Sequence, residues 1–321
     1  MLLFRIISTR ILQLVPVFFG VTFMTFAILN LLPGNVAVAI LGSYATPQSI
    51  RILNQQLGLN QPFLVRYWEW LRNFFHGNLG SSLETHQSVI SILSQRAPVT
   101  FELIIVAMCI ALVVAIPLAV LSAKKTGGFA DRMSTLLSMI GVSVPGFVIG
   151  LALILLVAEK SKIFPASGFS PLSGGLFSNL RTIFLPAFSL GFVLLATYTR
   201  VLRSDMREQL ATEDYVLTAR AKGIGPWSLI VRHVLRNSLF GFITVVALNL
   251  GTLFGGTVII ESVFDLPGIG SVLVTAITDR DSPTVQGIVV VLALAVVLAN
   301  LVADLLYVVL DPRVRYGNAG E

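Results

Sequence analysis

Thr100-Phe101-Glu102-Leu103-Ile104-Ile105-Val106-Ala107-Met108-Cys109-Ile110-Ala111-Leu112-Val113-Val114-Ala115-Ile116-Pro117-Leu118-Ala119-Val120-Leu121-Ser122 carries a single charged side chain, Glu102, near its start. As a helix rising 1.5 Å per residue, such a run crosses the ~30 Å hydrocarbon core of a bilayer. A buried strand or a core helix of a soluble domain needs no apolar run of this length. This stretch therefore reads as a membrane span.

The reading extends along the chain. Apolar residues make up 55% of the 321 and charged residues 12%, with a mean hydropathy of +0.87. Soluble domains carry about twice that charge. Six spans can be drawn: Ile11–Leu32, Thr100–Ser122, Met133–Ala158, Ile183–Tyr198, Leu239–Phe264 and Gln286–Leu310. The fourth is short, holds Pro186 and follows a Gly/Ser-rich stretch from Ser167 to Asn179. The first begins like a signal peptide, with Arg5 and Arg10 before the apolar run, but meets Pro33-Gly34 rather than a small-x-small site. It reads as a retained span. The expected class is an all-α polytopic membrane protein. Residues 1–98 hold the first span and an outer helical region; residues 99–321 hold a five-helix core with an inner loop at 200–238.

Lys and Arg set the orientation. With the amino terminus inside, the inner segments hold fourteen and the outer segments eight. Both termini are then cytoplasmic. The net charge of +6 fits inner loops facing anionic headgroups, and no nucleic-acid motif accompanies it. The lone Cys109 lies inside a span and excludes an intramolecular disulfide and a Cys-based metal site.

Two segments outside the spans show their own patterning. In the outer region, Thr46-Pro47 reads as a helix start and Gly58 as a stop. A second helix from about Pro62 to Gly77 is aromatic over much of its surface, with Trp68 and Trp70 among its rings. It suits the headgroup level, or the core of a small outer domain. In the inner loop, Thr212 reads as the cap of a short helix whose first turn holds Glu213 and Asp214. Gly223 is its stop, and Pro226 starts a further helix into the fifth span. The inner loop holds seven of the fourteen inner cations. Arg200, Arg203 and Arg207 read as partners of lipid phosphates.

Catalytic patterns are missing. There is no G-x-x-x-x-G-K-[ST] phosphate loop, no H-E-x-x-H and no G-x-S-x-G. His76, His86 and His233 fall outside the spans. Gly141-Val142-Ser143-Val144-Pro145-Gly146 marks close packing or a hinge instead. No catalytic residue, metal or bound cofactor is expected of this chain. Ionisable groups in or beside spans are Glu102, Glu159, Glu261 and Asp304. The fifth span is the candidate pore lining, through Asn249, Thr252, Thr257 and Glu261; close packing is the rival account of its Gly251, Gly255 and Gly256.

The inner loop reads Asp214-Tyr215-Val216-Leu217-Thr218-Ala219-Arg220-Ala221-Lys222-Gly223, followed by His233, Leu235, Arg236 and Asn237. This resembles the cytoplasmic coupling segment of ABC importer permeases in the dipeptide, oligopeptide and nickel branch, a D-Y-V-x-T-A-R-A-K-G run followed by H-x-L-R-N. Leu217-Thr218-Ala219 stands where the wider family has Glu-Ala-Ala. Leu57-Gly58-Leu59-Asn60-Gln61-Pro62, Gly77-Asn78-Leu79-Gly80-Ser81-Ser82, Pro98-Val99-Thr100-Phe101-Glu102-Leu103, the run from Glu261 to Gly270, and Asp311-Pro312-Arg313 extend the resemblance over nearly the whole chain. Asn78 stands where aspartate is usual.

The resemblance implies a permease subunit that pairs with a second permease, two cytoplasmic ATPases carrying ATP and magnesium, and an external solute-binding protein. It assigns coupling to Asp214, Tyr215, Thr218, Ala219, Arg220, Ala221, Lys222, Gly223, His233, Arg236 and Asn237. The substrates it implies are peptides, with nickel chelates, glutathione or another small solute as alternatives. An ion-coupled carrier is the rival from another class; it needs a charged relay deep in the bundle. A membrane enzyme needs a catalytic constellation.

Overall fold

The computed structural model describes residues 2–31, 36–56 and 58–310. Pro33-Gly34, Leu57 and Asp311-Pro312-Arg313 lie outside the described residues. Helices α1 (Leu2–Leu31), α2 (Val36–Leu41), α3 (Pro47–Gln56) and α4 (Phe63–Phe75) come first. They are followed by α5 (Val89–Lys124), α6 (Phe129–Ser143) and α7 (Gly146–Leu153), which continues through a wide turn at Ile154–Ala158 into α8 (Glu159–Ser161). Next are α9 (Leu176–Thr212) and α10 (Asp214–Ala221), then α11 (Pro226–Ser228), joined by a wide turn at Leu229–Val234 to α12 (Leu235–Phe264). Helices α13 (Ile269–Thr278) and α14 (Ser282–Leu310) complete the set.

Four helical runs among the described residues are long and apolar enough to cross a membrane: α5, α9, Pro226–Phe264 and Ser282–Leu306. The α6–α8 pair makes a fifth if counted as one span, and α1 contributes the shorter apolar stretch Val15–Leu31. Val113 on α5, Leu155 and Leu156 after α7, Ile259 on α12 and Leu298 on α14 point outward, as lipid-facing side chains do.

The expected third span, Met133–Ala158, is not straight. It bends by 108° between Ser143 and Gly146. Pro145 has no N–H to donate, and it holds Val144 extended at φ −112°, ψ 121°. The expected fourth span was drawn too short: α9 runs for 37 residues and is the most buried of the spans. Pro186 sits within it without ending it. A helix enclosed by others has no need of a continuous greasy surface. Ser189, Thr197 and Thr199 each donate to the carbonyl four residues back, at 2.7–2.9 Å.

Helix α9 packs against α5, α6, α7 and α12, while α14 packs against α12 and α1. The seams are made of small residues. Ala107, Ala111, Ala115 and Ala119 recur every four positions on α5 and are fully buried. A Cβ added at Gly191 would lie 2.5 Å from the Ala107 carbonyl oxygen, so backbone meets backbone there. One added at Gly141 would collide with the Ala196 methyl, and one at Gly150 would lie 3.0 Å from the Phe264 ring. The Gly141–Gly146 motif is thus both a packing surface and the site of the bend.

Helix α4 lies on α1. Phe63 and Tyr67 form edge-on ring contacts with Phe23 and Phe26, at 5.2–5.6 Å between centroids. Tyr67 shares a 2.9 Å hydrogen bond with Thr22, and Arg66 donates to Asn30. Trp68 stays exposed while Leu71 is buried. At the start of α3, the Ser49 amide donates to Thr46 Oγ1, and Gly58 takes a positive φ of 65°. Helix α5 runs unbroken through residues 98 and 99, so it crosses the boundary expected there.

Candidate coupling segment and its polar supports

Helix α9 extends through Thr212, whose hydroxyl bonds back to the Glu208 carbonyl at 2.8 Å. Thr212 therefore ends α9 rather than capping the next helix. The cap position of α10 is Glu213, in extended backbone at φ −84°, ψ 128°. The sequence reading missed by one residue because α9 continues beyond its apolar run. Asp214 sits in the first turn of α10, where a negative charge meets the positive helix end.

Helix α10 shows two faces. Val216 and Ala219 are buried, while Leu217, Thr218, Arg220, Ala221 and Lys222 are exposed. The helix stops as expected: Gly223 takes φ +77°, its amide donates to the Arg220 carbonyl, and the Ile224 amide donates to that of Ala219. Pro226 opens the next helix at its first turn.

Gln209 ties this helix to its neighbours. Its side-chain oxygen accepts from the Tyr215 hydroxyl at 2.6 Å. Its nitrogen donates to Asp205 at 2.8 Å and to Ser238 at 3.0 Å. Asn237 neighbours the Tyr215 phenol, whose pKa is pushed up chiefly by burial. Helices α9, α10 and α12 thus meet in one polar knot. Tyr215 and Asn237 of the expected set come together in it; His233 is half-buried, and Arg236 is exposed. Gln209 was not singled out in the sequence, because nothing local distinguishes it.

Arg203 and Arg207 are not free for lipid. Both form ion pairs with Asp131 at 2.5 Å. Asp131 also accepts from the Gly127 amide at 2.7 Å. Arg207 donates to the Ser122 carbonyl and Arg203 to Thr135 Oγ1. The cluster holds the short loop between α5 and α6 against the carboxy-terminal part of α9.

The pore candidates divide. Asn249 is half-buried and donates to the Val245 carbonyl; Thr252 is exposed and donates to that of Asn249. Thr257 and Glu261 are fully buried. Glu261 Oε1 accepts from the Thr100 hydroxyl at 2.7 Å, and its Oε2 from the Ser271 amide at 3.0 Å. The Thr100 oxygen in turn accepts from the Ile269 amide at 2.9 Å. This carboxylate joins α5 and α12 to the amino end of α13. A Cβ at Gly268 would strike it, which accounts for the glycine there. The fifth-span glycines divide as well. Gly251 faces Asn300 and Val296 of α14 closely, Gly256 faces Leu190, and Gly255 meets open space. Of the other ionisable groups, Glu102 accepts from the buried Asn179.

A second buried carboxylate acts at the same end of the bundle. Asp281 accepts from the hydroxyls of Ser82 and Thr284, both at 2.6 Å, and from the Leu83 amide at 3.1 Å. It caps α14 and pins the segment at 82–87 beside it.

These helices, seams and polar knot make a polytopic α-helical membrane protein. Residues 115–316 match the family described as binding-protein-dependent transport system inner membrane component, and residues 1–104 match its amino-terminal companion. The chain belongs to this family. It is 37% identical over 311 residues to a putative peptide transport system permease protein of Brucella abortus, covering 97% of this chain and 99% of the relative. It is 36% identical over 327 residues to a dipeptide transport system permease protein of Alkalihalophilus pseudofirmus, covering 96% and 98%. To a probable D,D-dipeptide transport system permease protein of Escherichia coli it is 38% identical over 338 residues, covering 99% of each.

Proposed function

We propose that this chain is one of two permease subunits of an ATP-driven ABC importer for dipeptides and oligopeptides. The observation that carries the reading is α10: a short helix tied to α9 and α12 through Gln209, with Leu217, Thr218, Arg220, Ala221 and Lys222 left exposed. A helix held this way moves as a body with the spans it joins, and domain motion passes between subunits through such elements. The peptide class rests on the relatives' names. The partners are a second, distinct permease, two cytoplasmic ATPases that bind ATP and magnesium, and an external binding protein. The chain itself binds no cofactor and carries out no chemistry. Asp214, Tyr215, Thr218 to Gly223, His233, Arg236 and Asn237 form the ATPase-facing segment. Asn249 and Thr252 remain the pore-facing candidates, whereas Thr257 and Glu261 act inside the packing. ATP-dependent uptake of a labelled dipeptide into vesicles, by the complete complex with its binding protein, is the expected result. Absence of uptake across a panel of dipeptides and oligopeptides overturns the peptide reading.

Six spans with both termini in the cytoplasm follow from the basic asymmetry. Residues 1–98 supply the first span and the outer region; residues 99–321 supply the other five spans and the coupling loop 200–238. A cysteine at exposed Trp227 is expected to resist a membrane-impermeant reagent in intact cells, and one at exposed Thr85 to react. Asp281, an obvious outer position from sequence, is unsuitable because it is buried. Labelling of position 227 from outside reverses the topology.

A further inference from the structure

At the end of the bundle where α13 meets α14, a cavity of about 650 Å³ opens. That volume falls within the range of small-molecule sites, about 300–1,000 Å³. The segment at 82–87, the start of α5 and helix α13 wall it. Both buried carboxylates hold these walls: Asp281 pins the 82–87 segment, and Glu261 fixes the start of α13. The cavity is therefore a built feature of the fold.

Two charges of opposite sign line it and are unused. Arg96, one turn before the apolar stretch of α5, has no hydrogen-bond or ion-pair partner among the described residues, and neither does the exposed side chain of Asp265. Gln87 lines the same space with its amide equally unspent. Glu84 also lines it; its protonated carboxyl donates to the neighbouring Asp279, and this bond, with the repulsion between the two carboxylates, holds its pKa above the usual range. An anion alone would face Asp265 and Glu84, and a cation alone would face Arg96. A ligand bearing both charges with amide groups between them satisfies all three.

We infer that this cavity is a reception site for the zwitterionic backbone of a short peptide, with Arg96 facing the terminal carboxylate, Asp265 the terminal ammonium and Gln87 the amide. The inference rests on the outward orientation and peptide reading proposed above. Recognition of termini rather than side chains makes the site permissive, and exposed charge pairs are weakly attractive in water. The affinity is therefore low, with a Kd of roughly 1 mM.

The test uses the assembled permease–ATPase complex in nanodiscs without its binding protein, probed by ligand-observed NMR titration. The probes are alanyl-alanine, its N-acetyl form and its C-terminal amide. The free dipeptide is expected to bind about threefold more tightly than either blocked form. Arg96→Gln is expected to abolish the preference over the amide, and Asp265→Asn the preference over the N-acetyl form. Equal binding of all three probes overturns the inference, as does parental behaviour of both variants. Vesicle uptake separates the two readings. Uptake with a flat probe pattern removes this site and leaves the peptide importer intact; failed uptake removes the peptide reading whatever the pattern.

Discussion

Replacing Gly223 with valine is expected to uncouple the complex: ATP hydrolysis persists while substrate transport falls at least about tenfold, a change worth roughly 1.4 kcal/mol. Gly223 ends α10 at φ +77°, and a Cβ built there meets nothing within 4 Å. Crowding therefore plays no part. The penalty is conformational: the left-handed region costs an ordinary L-residue roughly 1–2 kcal/mol, and a β-branched side chain is especially ill suited to it. The chain escapes by rotating Gly223 out of that region. The bonds from Gly223 to Arg220 and from Ile224 to Ala219 are then lost, and α10 no longer leaves toward Pro226 at the same angle. Gly223→Asn is the control, because asparagine tolerates positive φ and should retain most of the transport. Parallel measurement of ATP turnover and uptake in proteoliposomes decides the matter. Undiminished transport by a normally expressed valine variant removes the coupling assignment.

Glu261→Ala is expected to cost roughly 3 kcal/mol of stability. The side chain is fully buried and accepts from Thr100 and Ser271. Truncation leaves a half-buried amide and a buried hydroxyl without their acceptor, and it opens a void beside Gly268 and Gly270. Glu261→Gln keeps one acceptor oxygen, so its loss should be intermediate. Thermal unfolding of the purified complex in detergent is the measurement, and the expected order is parent, glutamine, alanine. A residue lining the pore behaves differently: transport changes while the melting temperature stays. Unchanged melting of the alanine variant would remove the structural role assigned here.

The contrast between these two residues shows what was legible in the sequence. Gly223 was readable because a helix stop is a local event, announced by a glycine after a run of helix formers. Glu261 was readable as an unusual carboxylate, but its partners lie at Thr100, 161 positions earlier, and on the far side of the turn at Ser271. Its place in the packing emerges only when α5 and α13 meet. Asp131 and its two arginines were hidden for the same reason. The membrane class was plain from α5, whose apolar run lies in the middle of the helix. Helix α9 was underrated because hydropathy measures contact with lipid, whereas this helix is enclosed by protein and satisfies its hydroxyls within its own turns. Pro145 announced a break, but not its 108° angle, across which α6 and α7 both pack on α9.

The clasp of Asp281 on Ser82 joins positions 199 residues apart in one chain. Synthesis at about 5–20 residues per second separates their emergence from the ribosome by roughly 10 to 40 s. Throughout that interval the early segment is already committed to its side of the membrane while its anchor does not yet exist. Insertion alone therefore cannot finish this end of the molecule. Closure waits for Asp281, and a chain that stops short of it leaves the segment unfastened.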